Sequence, residues 1–337
     1  MYLAADSLDD LLFKVYKQIL ARGTAIKPSK GDARETSGML LKLSAPRVRL
    51  SRSESRGLLF SCLGELLWIL AGSNRLDFIQ HYIPRYDEFS DDKKTIYGAY
   101  GPRLFGKTPN DQVARVIQLL KDKQDSRQAV LQLFDRTDTL EFHRDVPCTC
   151  TLQFMVRDSR LHMLTSMRSN DAWLGLPHDV FTFTMLQELV ARSVGIELGE
   201  YKHAVGSLHL YDEHHDKALQ FLDEGWQTHR PMPPMPKSDP WVAVKGLVDF
   251  EKKVRTSHGS IPTPPATMDP YWEDLATLLT IHKAGLVPNN QPEIRRLKRR
   301  IHDDVYSTYI KRRYKLTTDK DQLSIFDGQA ALTKETI

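Results

Sequence analysis

Apolar residues recur every third or fourth position at Leu8, Leu11, Leu12, Val15, Ile19 and Leu20, and the run stops at Gly23. That spacing, after Asp6, predicts a capped amphipathic helix. Residues 24–53 are polar and mixed, as expected of loop plus strand. Ser55–Leu70 reads as a largely buried helix carrying a single carboxylate, Glu65. Residues 82–110 are rich in Tyr, Gly and Pro and predict irregular loops, before a helix over Asp111–Lys121 with Val113, Val116, Ile117 and Leu120 on one face. From Arg127 the period changes to two. Val130, Gln132 and Phe134 alternate with Ala129, Leu131 and Leu133, and residues 151–157 and 160–168 repeat the pattern around the turn Arg157-Asp158-Ser159. Asp179 then opens a helix to about Ser193, before Gly195. A strand near Tyr201–Tyr211 and a helix near Asp212–Leu222 follow.

Beyond Gly225 the character shifts. Prolines at 231, 233, 234 and 236, then at 262, 264 and 265, break the pattern, and two helices are expected at 270–284 and 292–314. There is no internal repeat. The expected division is a catalytic region over 1–230 and a Pro-rich linker with a mainly helical extension over 231–337. The fold class this predicts is α+β, a mixed sheet covered by helices.

Composition narrows the function only a little. The 337 residues are 41% hydrophobic and 27% charged, which is globular, and the net charge of +4 suits a small anionic substrate as well as it suits nucleic acid. Three cysteines, Cys62, Cys148 and Cys150, do not make a disulfide framework. Cys148-Thr149-Cys150 lacks the paired spacing of a zinc site, so no metal is expected. The N-terminus has no basic segment followed by an apolar core, and Leu58–Ala71 is too short and too polar to span a bilayer. A reducing, cytoplasmic setting without membrane contact is the expectation.

The chemistry concentrates around Cys148. Val146-Pro147-Cys148, Leu152-Gln153-Phe154, Arg168-Ser169-Asn170-Asp171, Leu174-Gly175-Leu176-Pro177 and Gly206-Ser207-Leu208-His209-Leu210-Tyr211 resemble, in order and spacing, the motifs of the thymidylate synthase family. Upstream, Glu65-Leu66-Leu67-Trp68, Tyr97-Gly98-Ala99-Tyr100-Gly101 and Asp125-Ser126-Arg127 extend the resemblance, which covers roughly residues 8–224. It implies Cys148 as nucleophile on C6 of a pyrimidine nucleoside monophosphate. A thiolate adding there turns C5 into an enamine that attacks an activated methylene. It further implies 5,10-methylenetetrahydrofolate as co-substrate and Glu65 as the group that orders water and handles protons. Arg34, Arg127 and Arg168 would hold phosphate, with Arg168 also expected to lower the thiol pKa, and Ser169 joins the substrate-binding set. His209 and Tyr211, on one side of a strand, would hold the sugar. Asp171, Leu174, Gly175, Tyr86 and Phe89 fall at the folate side, and Tyr100 in the tyrosine–glycine loop. The family's Arg127 reaches the partner's site, which implies a homodimer.

The departures carry the specificity argument. Asp179, in Pro177-His178-Asp179, stands where thymidylate synthases have an asparagine that complements uracil. A carboxyl there can accept from the cytosine amino group, as in the deoxycytidylate and cytidylate hydroxymethylases, although Asp179 is also a good N-cap. Tyr86 and Phe89 replace the family's two tryptophans. Loss of a bulky indole would let water add to the exocyclic methylene. Gln128, Ser207 and Thr149 replace a phosphate arginine, an aspartate and a histidine. The closing C-terminal segment is faintly echoed by Ile337, and His214-His215 reads as helix surface. The expected activity is hydroxymethylation of CMP or dCMP. The alternatives are a thymidylate synthase or C5 methylase acting on dUMP or a cytidylate, and a non-catalytic nucleotide or nucleic-acid binder. Only the basic helix at Arg295, Arg296, Lys298, Arg299 and Arg300 supports the last, and nucleic acid is not the expected partner.

Overall fold

The structure, a computed structural model, describes residues 1–28, 30–54, 58–106 and 111–316. Among these residues seven strands form one mixed sheet: β1 (Tyr2–Ala5), β2 (Thr24–Ile26), β3 (Ala33–Leu43), β4 (Val130–Gln132), β5 (Thr149–Arg157), β6 (Arg160–Asp171) and β7 (Glu197–Tyr211). Their order is β1-β3-β7-β6-β5-β4, with β2 paired to β3. The β1–β3 and β6–β7 pairs are parallel and the others antiparallel. The β5–β6 hairpin turns at Asp158 and Ser159, both at positive φ of 50° and 56°, the twist a tight two-residue hairpin favours.

Burial alternates along β6 and β7. Leu161, Met163, Thr165, Met167, Tyr201, His203 and Val205 are buried, and the residues between them are half-buried or exposed. One face is covered by α1 (Leu8–Arg22), α2 (Leu59–Leu70) and α6 (Gly175–Val194), which pack with each other or directly on the sheet. Short helices α3 (Leu76–Gln80) and α4 (Tyr100–Leu104), and the amphipathic α5 (Gln112–Asp122), border this core, and α7 (His215–Asp223) packs on α1. The first helix is capped by Ser7, whose side chain accepts from the Asp10 amide, rather than opened by Asp6.

Four expectations change. First, α6 begins at Gly175, four residues before Asp179. The Asp171 carboxylate accepts from the Trp173 and Leu174 amides, at 2.7 and 3.2 Å, and so ties up the turn that leads into it. Asp179 therefore caps nothing. Second, the proline-rich stretch contains a helix, α8 (Trp241–Thr256), whose Val244, Leu247, Phe250 and Val254 are buried at helical spacing. Third, the last expected helix is broken. After α9 (Pro270–Ala284), α10 (Gln291–Lys298) stops where the Asp274 carboxylate accepts from the His302 and Asp303 amides, and α11 (Ser307–Tyr314) follows. Fourth, His214 is buried against the Trp173 ring and is not on a helix surface.

The helical extension shares the core. α9 packs on α2 and α8, and the backbone amide of Met235 donates to Glu188 Oε1 at 3.0 Å. Glu188 also accepts from Arg49 at 2.5 Å, an ion pair almost wholly out of water. Losing either partner would strand a buried charge, a change of about 3–5 kcal/mol. Ile337 lies outside the described residues.

Candidate active site

Cys148 stands at the foot of β5, in a turn held from the neighbouring strand. Arg168 donates from Nε to the Pro147 carbonyl at 3.0 Å and from Nη2 to the Val146 carbonyl at 2.9 Å, and its amide donates to the Cys148 carbonyl. The guanidinium thus fixes the backbone around Cys148 and still has donors to spare. Its expected effect on the thiol is outweighed. Burial pushes the Cys148 thiol up to about 11, Asp145 and Asp179 push the same way, and Arg168 and Lys30 only oppose them. At rest the Cys148 side chain is a neutral thiol.

The segment leading to Cys148 is tied down next. His143 stacks on Tyr97 with ring centroids 3.5 Å apart, and its Nδ1 meets Asp91 at 3.0 Å. Arg103 donates to both Asp138 oxygens and to the Tyr97 carbonyl, joining that segment to the tyrosine–glycine loop. The Thr149 amide and hydroxyl both donate to the Tyr100 oxygen, at 3.3 and 3.0 Å, so Tyr100 sits directly behind the nucleophile.

Three carboxyl groups cluster here: Asp145 and Asp179 act on the thiol, and Glu65 acts on both of them. Glu65, on α2, accepts from the Tyr86 hydroxyl at 3.0 Å. Tyr86 itself packs edge-on against Trp68 and Phe89, and Lys30 lies 4.0 Å over the Phe89 ring. Asp179, on the inward side of α6, accepts from Asn170 Nδ2 at 2.7 Å. Its edge remains partly open to the cleft, but protein surrounds it otherwise, and burial followed by repulsion from Glu65 holds its carboxyl well above the usual range. Asp145 is the third. It was not anticipated, although a carboxylate three positions before a nucleophile is a visible signal. It lies against Gly98, where a Cβ would collide with its carboxylate, and burial raises its pKa against the pull of Lys30 and Arg168. Sequence reasoning also missed His178, which joins the Leu174 carbonyl at the start of α6 to Ser61 of α2, and His203 behind Asn170.

The other expected residues, Arg127 apart, lie around this centre. His209 and Tyr211 share one side of β7, with rings 5.0 Å apart. Arg34 faces solvent on β3, paired in register with Leu210 between them. Ser169 lies opposite Ser207 on β7. Leu174 is 45% exposed at the start of α6. Gly175 lacks a side chain because a Cβ would come within 2.8 Å of Asn170 Nδ2. Arg127 is exposed on the approach to β4, where its carbonyl accepts from Gln153 Nε2 at 3.1 Å, towards the far end of β5 from Cys148.

The Cys148 thiol, the Asp179 carboxyl, the His209–Tyr211 pair, Arg34 and Arg168 are brought to one end of the sheet. The profile of the thymidylate synthase family, matched against the chain, covers residues 16–248. A deoxyuridylate hydroxymethyltransferase of Pseudomonas phage M6 is 34% identical over 187 residues, 55% of this chain and 52% of its own. The chain thus spans about half the length of that curated relative.

Proposed function

Because the chain belongs to the thymidylate synthase family, a family of one-carbon transferases, we propose that it transfers a one-carbon unit to C5 of a pyrimidine nucleoside monophosphate and completes the reaction with water. The product in this reading is a 5-hydroxymethyl cytidylate, from CMP or dCMP. The observation that carries it is Asp179: a carboxyl on the inward side of α6 that serves no cap and is held by Asn170 beside the nucleophile. A buried polar group set against the wrong base edge discriminates by about 10⁴ or more.

The residues divide the work as follows. Cys148 bonds to C6, which places the electron pair on C5. C5 takes the methylene and loses its proton, tetrahydrofolate leaves, and water adds to the methylene. The Cys148 thiolate is released from C6 as the ring is restored, while Arg168 keeps the turn fixed. The thiol must lose its proton as it attacks, since at rest it is neutral. Glu65 and Tyr86 hold water over C5. A tyrosine hydroxyl in this place favours hydroxymethylation over reduction to methyl, as it is smaller than an indole and polar. Arg34, Arg168 and Ser169 take the phosphate, and His209 and Tyr211 the sugar. 5,10-Methylenetetrahydrofolate supplies the carbon when bound. The exposed apolar face of Leu174, the Phe89 ring and the remaining Asp171 oxygen fit a flat ring carrying amide donors.

The open face of the sheet, lined by Leu40, Ser166, Ala204 and Gly206, is the surface through which we propose a homodimer, with Arg127 reaching the partner's site. Residues 1–230 would carry the catalysis and the extension would brace α2. Among the described residues no helix is long and apolar enough to cross a membrane, and a cytoplasmic setting remains part of the proposal.

The name of the phage relative favours a second reading, in which the base is uracil. A neutral Asp179 offers one donor and one acceptor and can complement uracil as well. Incubation with methylenetetrahydrofolate and each of CMP, dCMP, UMP and dUMP, with mass spectrometry of the nucleotides, separates the readings. A hydroxymethyl cytidylate supports the first, a hydroxymethyl uridylate the second, and a methyl product would refute both.

A further inference from the structure

Asp179 is the end of a chain of four hydrogen-bonded side chains that runs away from the cleft into the core. The Tyr201 hydroxyl meets His203 Nδ1 at 2.6 Å, His203 Nε2 meets Asn170 Oδ1 at 3.0 Å, and Asn170 Nδ2 meets Asp179 Oδ2 at 2.7 Å. Tyr201 and His203 are wholly buried and Asn170 is 3% exposed. Every polar atom of the His203 and Asn170 side chains has a partner, so the network is ordered rather than strained.

The direction of the chain follows from its chemistry. Burial lowers the His203 pKa to about 3, so the imidazole is neutral and carries one N–H. With Tyr201 donating to Nδ1, that N–H is on Nε2 and points at the Asn170 oxygen. The Asn170 amide is thereby turned so that its NH₂ faces Asp179. Gly175 keeps the space for it, since a Cβ there would crowd both Asn170 Nδ2 and Asp179 Oδ2. Oδ2 is then committed as an acceptor, while Oδ1 has no protein donor among the described residues. A proton on this carboxyl belongs on Oδ1.

This matters because the two pyrimidines differ only in order. Cytosine presents an acceptor at N3 and a donor at the 4-position; uracil presents a donor at N3 and an acceptor at the 4-position. A neutral carboxyl whose oxygens could exchange roles would accommodate either.

We infer that Asn170, His203 and Tyr201 are positioning residues that fix which oxygen of Asp179 accepts and which donates, and so set the base preference of the site. This rests on the proposed reading of Asp179 as the base-reading residue, not on the outcome of the folate chemistry.

The test is calorimetric binding of dCMP and dUMP, without folate, to the wild-type protein and to Asp179→Asn, Asn170→Asp and Tyr201→Phe, each checked for cooperative melting. Asn170→Asp replaces the donor by an acceptor, so the Asp179 proton moves to Oδ2. The ratio of the two dissociation constants should shift at least about tenfold toward the other base. Tyr201→Phe, which removes a single hydroxyl, should narrow the ratio about two- to tenfold. A folded Asn170→Asp protein with the wild-type ratio overturns the relay. Equal weakening of both nucleotides does so too, since that is what a merely structural role gives. If Asn170→Asp does not fold, Tyr201→Phe decides alone. A ratio moved by Asp179→Asn but by neither relay variant sinks the relay and leaves the reading of Asp179 standing; a ratio moved by none of the three sinks both.

Discussion

Tyr86 donates its hydroxyl proton to Glu65 Oε1 across 3.0 Å, and this bond joins the residue argued to admit water to the residue argued to order it. Tyr86→Phe should lower the rate of hydroxymethyl formation about tenfold, the worth of one hydrogen bond, with little change in nucleotide KM. Tyr86→Trp restores an indole and should divert product from hydroxymethyl to methyl. Steady-state kinetics and product masses check both. A wild-type product ratio from Tyr86→Trp would remove Tyr86 from the argument about water.

The neutral Cys148 thiol should be slow to alkylate in the free protein. Its rate with iodoacetamide, followed on the Cys148 peptide by mass spectrometry, should still be rising with pH well above 9, since burial pushes the thiol to about 11. Asp145 adds to that shift. Asp145→Asn should speed alkylation several-fold at pH 8, where up to a tenfold gain corresponds to about one pKa unit. A plateau near pH 8 in the wild type would show that Arg168 dominates after all. Cys148→Ser should abolish turnover and still bind nucleotide.

Most of the cleft was legible because its residues lie in short motifs, each on one strand end or one helix turn. Cys148, Arg168, His209 and Tyr211 needed only local spacing. What escaped notice depends on contacts distant in sequence. Asn170 and His203 are 33 residues apart, and nothing in either segment announces the bond between them. Asp179 looked like a cap because it is an aspartate near a helix start, while the real start at Gly175 carries no capping side chain. The helix α8 hid among prolines because its apolar stripe is narrow and broken by lysines. Strands β5 and β6 were legible from their period of two; β7 begins four residues earlier than expected, β4 is only three residues long, β3 was placed only within a mixed loop-and-strand stretch, and β1 was not read at all.

Gly98 leaves space for Asp145, so Gly98→Ala should act as a mutation of Asp145 at a distance. The added methyl would collide with the Asp145 carboxylate and displace the segment that carries Cys148. Turnover should fall at least about tenfold, as misplacement by about 1 Å can cost a hundredfold. Gly98→Ala combined with Asp145→Ala, which removes the clashing group, should recover part of it. No recovery in the double variant would place the defect elsewhere in the tyrosine–glycine loop.

The carboxyl of Asp179 also makes a stability prediction whose sign is fixed. Its folded-state pKa is raised, so between the ordinary carboxylate range and that raised value the folded protein holds a proton that the unfolded chain has released. Protons bound in the folded state alone make stability fall as pH rises. Asp179→Asn removes the titration and keeps the bond to Asn170, since the amide oxygen still accepts. The stability of Asp179→Asn relative to wild type should therefore grow with pH, by at most about 1.4 kcal/mol per pH unit, and should shrink toward pH 4. Urea unfolding of both proteins at pH 5, 6.5 and 8 measures the gap. A gap that widens locates the proton on the folded carboxyl and supports a neutral Asp179 as the group that meets the base. A gap independent of pH means the carboxyl is ionised in the folded protein throughout. An ionised carboxyl repels uracil O4, so that result would favour a cytosine protonated at N3 as the bound form.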